Sequence, residues 1–133
     1  MNVIDMIDGN LFLKKLFPDG LAGPLYLGQF GLEGAGRFSM NIHTRQRPAI
    51  EVAKWGIYGK HYDVIVIELL GCGVRNVSIE NWINADYAVF DFSKEGQDIR
   101  IAASGAEWAF EATVASFNFQ RCSTYINGEP EEY

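Results

Sequence analysis

The residues most able to do chemistry are few. Only two histidines are present. His61 stands two positions before Asp63, at the start of the most apolar run in the chain, and a His–carboxylate pair is the minimal general base. A histidine at the exposed end of a strand is the commoner meaning of that pattern. His43 lies between Asn41 and Arg45 in a polar, solvent-facing row. Asp91 could meet Glu107 or Glu111 across strands, but a glycosidase needs its carboxylates in a deep cleft. Nothing in the sequence announces one, so these acids read as solvated faces.

Gly34-Ala35-Gly36 and Gly71-Cys72-Gly73 are followed by strands. A phosphate cradle needs a helix N-terminus aimed at the anion, so both read as turns. No GxSxG, HExxH or Walker pattern occurs. Cys72 and Cys122 are far apart, without CxxC or Cys/His clustering, and read as two buried thiols in place of a disulfide. The expectation is no catalytic residue, no metal and no cofactor.

Aromatic side chains are the stronger signal. Trp108 fits the inward phase of its strand, and Trp82 stands between core and surface. Trp55 and Tyr58 fall on an irregular loop near arginines, either packed back onto the sheet as core or held out as an interface anchor. The candidate partner-binding set is therefore Trp55 and Tyr58, the outer row Arg37, Asn41, His43 and Arg45, and His61, where the loop re-enters the sheet.

These side chains need a scaffold, and the pattern supplies one. Asp8-Gly9-Asn10 followed by Leu11 to Pro18 predicts a short helix over about 9–17. Asp8 or Asn10 is its N-cap, Leu13, Leu16 and Phe17 its apolar face, and Pro18 its stop. Strands are expected at Leu25–Leu32 and at Arg37–Arg45, where Phe38, Met40 and Ile42 point inward. Gln46–Lys60 is a loop broken by Pro48. Tyr62–Leu70 is β-branched and apolar on both faces, as a central, doubly covered strand is. After a tight turn at Gly71–Gly73, strands follow at Val74–Trp82, with Val77 and Ile79 on one side, and at Tyr87–Phe92. Next comes a turn at Ser93–Gly96, then a strand at Asp98–Ala103 with Ile99, Ile101 and Ala103 inward. In the last strand Trp108, Phe110, Ala112 and Val114 share one face while Phe117 and Phe119 take the other, which predicts a bulge or bend near Ala115–Ser116.

The fold class expected is α+β, mostly β: an antiparallel meander of about seven strands, curved or partly sandwiched, with one N-terminal helix packed on it. Phe38–Ile42 and Val74–Ile79 are the expected neighbours of the central strand. At 133 residues the chain reads as a single domain over 1–133, with a β-rich body over 24–126 and a polar tail at 127–133. An apolar content of 48% is that of a folded protein. No apolar run approaches the ~18 residues of a membrane span, and the N-terminus lacks the features of a signal peptide, so a cytoplasmic location is expected. The formal charge of −6 argues against direct nucleic-acid binding and suits a basic partner.

Taken together the segment order resembles bacterial polymorphic-toxin immunity proteins, in particular the immunity protein 50 family. The matching features are a helix ending Leu16-Phe17-Pro18, the strand Phe38-Ser39-Met40-Asn41-Ile42, and a linker holding Pro48. Tyr62-Asp63-Val64-Ile65-Val66-Ile67-Glu68-Leu69 and Val74–Trp82 follow, and the last match is a strand from Trp108 and Phe110 to Cys122-Ser123-Thr124-Tyr125. The resemblance implies a small protein that binds and neutralises the C-terminal toxin domain encoded beside it, a basic nuclease-type toxin suiting the acidic charge, and it carries no catalytic residues. Two other readings compete. One is a small-ligand carrier with an apolar cavity lined by Phe90, Phe110 and Phe117, and the other a hydrolase using His61 and Asp63.

Overall fold

The apolar run after Tyr62 does form the central strand, but only the first half of it. A computed structural model describes residues 2–127. In it β4 runs unbroken from Val64 to Glu80, through the expected turn at Gly71–Gly73. Its partner is the equally long β7, Ala109–Tyr125, antiparallel along nearly the whole length. The segment Val74–Ile79 is therefore not a neighbour of the central strand but its continuation.

The shorter strands pair onto this ribbon. β2 (Tyr26–Leu32) and β3 (Phe38–Thr44) extend it beside the first half of β4. β6 (Asp98–Ser104) and β5 (Phe90–Glu95) extend it beside the first half of β7. The order is β2-β3-β4-β7-β6-β5, two three-stranded meanders joined through β4 and β7 instead of one continuous meander. Pairing is antiparallel except for β1 (Ile7–Asp8), which runs parallel to Phe117–Asn118 of β7. The sheet curls until its edges touch. Tyr26 bridges Val89, the Leu27 amide donates to the Ala88 carbonyl (3.3 Å), and the Phe90 amide donates to the Leu25 carbonyl (3.0 Å). That seam is why β5 begins at Phe90 and not at Tyr87: residues 87–89 run alongside β2. The following turn moves with it, to Gly96-Gln97.

Four consecutive side chains, Val64 to Ile67, are buried, as a doubly covered strand requires. Ile65, Ile67 and Leu69 join the main core, together with Phe38, Met40 and Ile42 of β3 and Phe117 of β7. Helix α1, Leu11–Leu16, contributes Leu13 and Leu16 and leaves Lys14 and Lys15 in its last turn exposed, where the dipole favours cations. It is shorter than the predicted span, and Asn10 at its N-cap spends its amide on the Ile4 carbonyl (2.8 Å) instead of capping it. A 3-10 turn at Val3–Met6 precedes it, closed by a reciprocal Asn2/Asp5 capping box, and buries Val3 and Ile4.

The phase change anticipated near Ala115 is a roll of the whole ribbon. Gly71 faces Phe117 and Val74 faces Val114, so both strands advance three residues with no register slip between those pairs. Phe117 and Val114 nonetheless both reach the core. The two strands thus turn over together, and opposite faces of the ribbon meet one interior. Gly73 takes φ +73°, and a methyl there would meet the Ala115 side chain. At Gly71 a methyl would meet the Phe38 ring and the Ser116 carbonyl. The register slips lie elsewhere, with Gln120 extra on β7 and Arg75 extra on β4.

Candidate functional site

β3 alternates as its sequence predicts: Phe38, Met40, Ile42 and Thr44 are buried, and Ser39, Asn41 and His43 are half-buried on the other face. Arg37 and Arg45 flank the row and are exposed. The row is less open than expected, because three tyrosines cover its end. Tyr26 lies opposite His43 in β2, and its ring stacks on Tyr87 at 4.6 Å. Tyr87 and Tyr125 both present their rings edge-on to His43, at 5.3 and 5.8 Å. Beneath them Val64 and Val66 are buried outside the main core.

His43 is held at both nitrogens: Nε2 lies 3.2 Å from Asn41 Oδ1 and Nδ1 lies 3.1 Å from the Tyr125 hydroxyl. A carboxamide oxygen only accepts, so Nε2 carries the hydrogen and Nδ1 accepts from the tyrosine. Burial lowers the pKa of His43 below the ordinary imidazole value. Burial first, then a hydrogen bond with Tyr125, pushes the Tyr87 phenol well above its usual range. Both groups are neutral at pH 7 and form a positioned polar cluster. Gly28 makes room for it: it is the extra residue where β2 slips register, and any Cβ there would strike Asn41 and His43.

Of the two arrangements expected for the 46–60 loop, the structure shows Trp55 packed back onto the sheet. Trp55 is only 8% exposed, its ring edge-on to Phe12 and Tyr62, so it is a core residue and offers no ring to a partner. Tyr58 is half-buried, T-packed on Tyr62, with its hydroxyl donating to the Arg45 carbonyl. Arg47 sits over its outer side, 5.9 Å from the ring centroid. His61 is exposed, and its Nδ1 accepts the Ile57 amide (2.9 Å). Asp63 accepts the Asn127 amide (2.6 Å). His61 and Asp63 thus each accept a backbone amide, which helps to fix where the loop re-enters the sheet. Tyr58 does connect the loop to the end of β3, so Arg45, Tyr58 and Arg47 form one rim; Arg37, at the far end of β3, is not part of it.

A second outer surface lies beyond the ribbon's roll. Asp91, Ala102, Glu111 and Ser78 form one row across β5-β6-β7-β4, and Glu80 lies beside Ala109 in the next. The acid pair suspected from sequence thus shares a row, but one strand intervenes, which sets the two backbones about 9.5 Å apart. Arg100 donates to Glu111 (2.8 Å), and that bond holds its carboxyl below the usual range, the wrong direction for a general acid. The surface is an open groove of about 370 Å³. Sequence reasoning missed Tyr26, Tyr87, Tyr125 and Glu80 because each joins its neighbours through register and not through sequence spacing.

Among the described residues no group of three His, Cys, Asp or Glu side chains could hold a metal. Neither cysteine is in a disulfide; burial, reinforced by nearby Glu68, pushes the Cys122 thiol up to about 12. No described helix is long and apolar enough to cross a membrane. Compared with known proteins, the chain matches no family model, no curated protein and no solved structure.

Proposed function

We propose that this chain is an immunity protein, which neutralises a cognate bacterial toxin domain by covering its active site or substrate surface. The observation that carries the reading is where the polar chemistry lies. Functional-looking groups sit on open outer faces of the sheet, and the interior is filled with packed rings. Phe30 contacts Phe38 and Phe110 at 5.2 and 4.9 Å, Phe90 contacts Phe92 at 4.5 Å, and Phe92 contacts Phe117 at 5.6 Å. The three phenylalanines named for a ligand cavity are at most 4% exposed. An inhibitor acting by cover needs an exposed patch with an aromatic or apolar centre and a charged rim, with no pocket and no catalytic group. The acidic charge suits a basic, nuclease-type target.

The test is co-expression with the toxin domain encoded beside this gene. Growth rescue and co-purification of the pair are the expected results. An adjacent gene of unrelated metabolic function, or a toxin domain whose killing this chain leaves untouched, overturns the reading.

A further inference from the structure

Among the described residues, five of the twelve large apolar side chains that are exposed fall between Ile79 and Val89. Single exposed apolar side chains need no explanation, but a cluster marks a contact surface. Ile83 is 95% exposed, yet it is not on a loose loop. It sits in a 3-10 turn, Trp82–Asn84, entered through Asn81 in the left-handed region (φ +50°). The preceding Trp82 braces the turn, its ring 5.7 Å from Trp108 and 5.9 Å from Phe110. The fold holds an isoleucine out in water on a buttress of two tryptophans.

Beside this turn lies the groove on β4-β7-β6-β5. Its floor is built from Ser78, Ala102, Ser104 and Ala109, small side chains that keep the surface low. Glu80, Asp91 and Glu111 stand around it, and Val89 lines it as well. Its one cation, Arg100, is already bonded to Glu111. Across the strands from Asp91 stands Ala102, and from Glu80 stands Ala109, so neither acid faces a cation in its row. The groove is negative and the turn next to it is apolar.

We infer that the Trp82–Ile83 turn and the Glu80/Asp91/Glu111 groove together form the docking surface for a basic protein. A lysine or arginine of that partner lies in the groove, and an apolar depression receives Ile83. The same acids repel nucleic acid. They also disfavour a second copy of this chain, which would set like charges face to face. The partner's being a toxin rests on the reading above; the location of the surface does not.

The experiment has two arms. In the first, the 15N-labelled protein is titrated with a decalysine peptide. Amide shifts centred on Val89, Ala102, Ser104 and Ala109 are expected, and shifts centred elsewhere, or spread evenly over the acidic surface, overturn the inference. In the second, Asp91→Lys/Glu111→Lys and Ile83→Asp are compared with wild type for binding the toxin domain encoded by the neighbouring gene. Both should weaken it by roughly tenfold or more. Asp19→Lys/Glu33→Lys, equal in charge change but outside the groove, should bind like wild type, and circular dichroism confirms that each variant is folded. If wild type binds and both groove and turn variants bind equally well, the surface is wrong and neutralisation stands. If wild type does not bind the toxin domain, neutralisation falls and the peptide arm alone decides the surface.

Discussion

At the residue scale, burial sets the chemistry of the titratable groups. Cys72 is exposed, with its sulfur 3.4 Å from the Ser116 hydroxyl, whereas Cys122 is partly buried and its thiolate is suppressed. The thiolate is the reactive form, so a maleimide or disulfide reagent at pH 8 should modify one thiol quickly in the native protein, that of Cys72. Mass spectrometry of the digested adduct checks this, and equal labelling of Cys122 would contradict it. His43 makes a second prediction. Its native pKa lies below the unfolded value of about 6.5, so the unfolded chain binds the proton more readily. Its contribution to stability is complete above that pH, declines as pH falls through it, and levels off below the native pKa. Thermal midpoints measured from pH 7.5 to 5 should fall more steeply for wild type than for His43→Gln; parallel curves would show that His43 has no part in it. Much at this scale was legible beforehand, including the inward phase of β3, but the expectation of two buried thiols fails at Cys72, which is exposed. For Trp55 the pattern left core and surface both open, because a loop has no periodicity from which to read an inward direction.

At the element scale the ribbon is the controlling structure, and its glycines differ sharply in what they tolerate. Gly71→Val places a branched side chain against the Phe38 ring and the Ser116 carbonyl and should cost at least about 2 kcal/mol. Gly73→Ala combines left-handed strain of about 1–2 kcal/mol with collision against Ala115. Gly34→Ala meets nothing within 4 Å and should change stability by less than about 1 kcal/mol in either direction. Urea denaturation of the three variants ranks them, and a neutral Gly73→Ala would remove the basis for the ribbon's roll. Here the sequence misled in an instructive way. Gly-Cys-Gly between two apolar runs has the composition of a hairpin turn, and only the long antiparallel partner makes it a bend within one strand. The mismatch of phase between Val114 and Phe117 was the readable trace of that bend.

At the scale of the whole molecule, stability should be graded from the ribbon outward. β4 and β7 pair over almost their full length and carry much of the core, while the β2–β5 seam holds by the Tyr26–Val89 bridge and two flanking backbone bonds. Hydrogen exchange should accordingly be slowest at ribbon amides such as Ile67 and Val114 and markedly faster at Leu27 and Phe90, the seam donors. Equal protection would mean that the sheet closes as one cooperative barrel. The strand content and the mostly antiparallel class were legible from alternation and turn spacing. The order of strands was not, because local pattern says nothing about which of two meanders supplies the neighbour of a central strand. The 127–133 tail assigned from sequence lies outside the described residues apart from Asn127, whose amide meets Asp63.

The short β1 strand carries a consequence for how the fold closes. Ile7 and Asp8 pair with Phe117 and Asn118 of β7, so two segments far apart in sequence must meet before either edge is satisfied. The β2–β4 meander can form from local pairs alone, but without residues 109–125 it lacks both the ribbon partner of β4 and the seat for β1. Contacts of such long sequence separation are slow to form, and the closing of β1 onto β7 is the clasp that joins the helical segment to the ribbon.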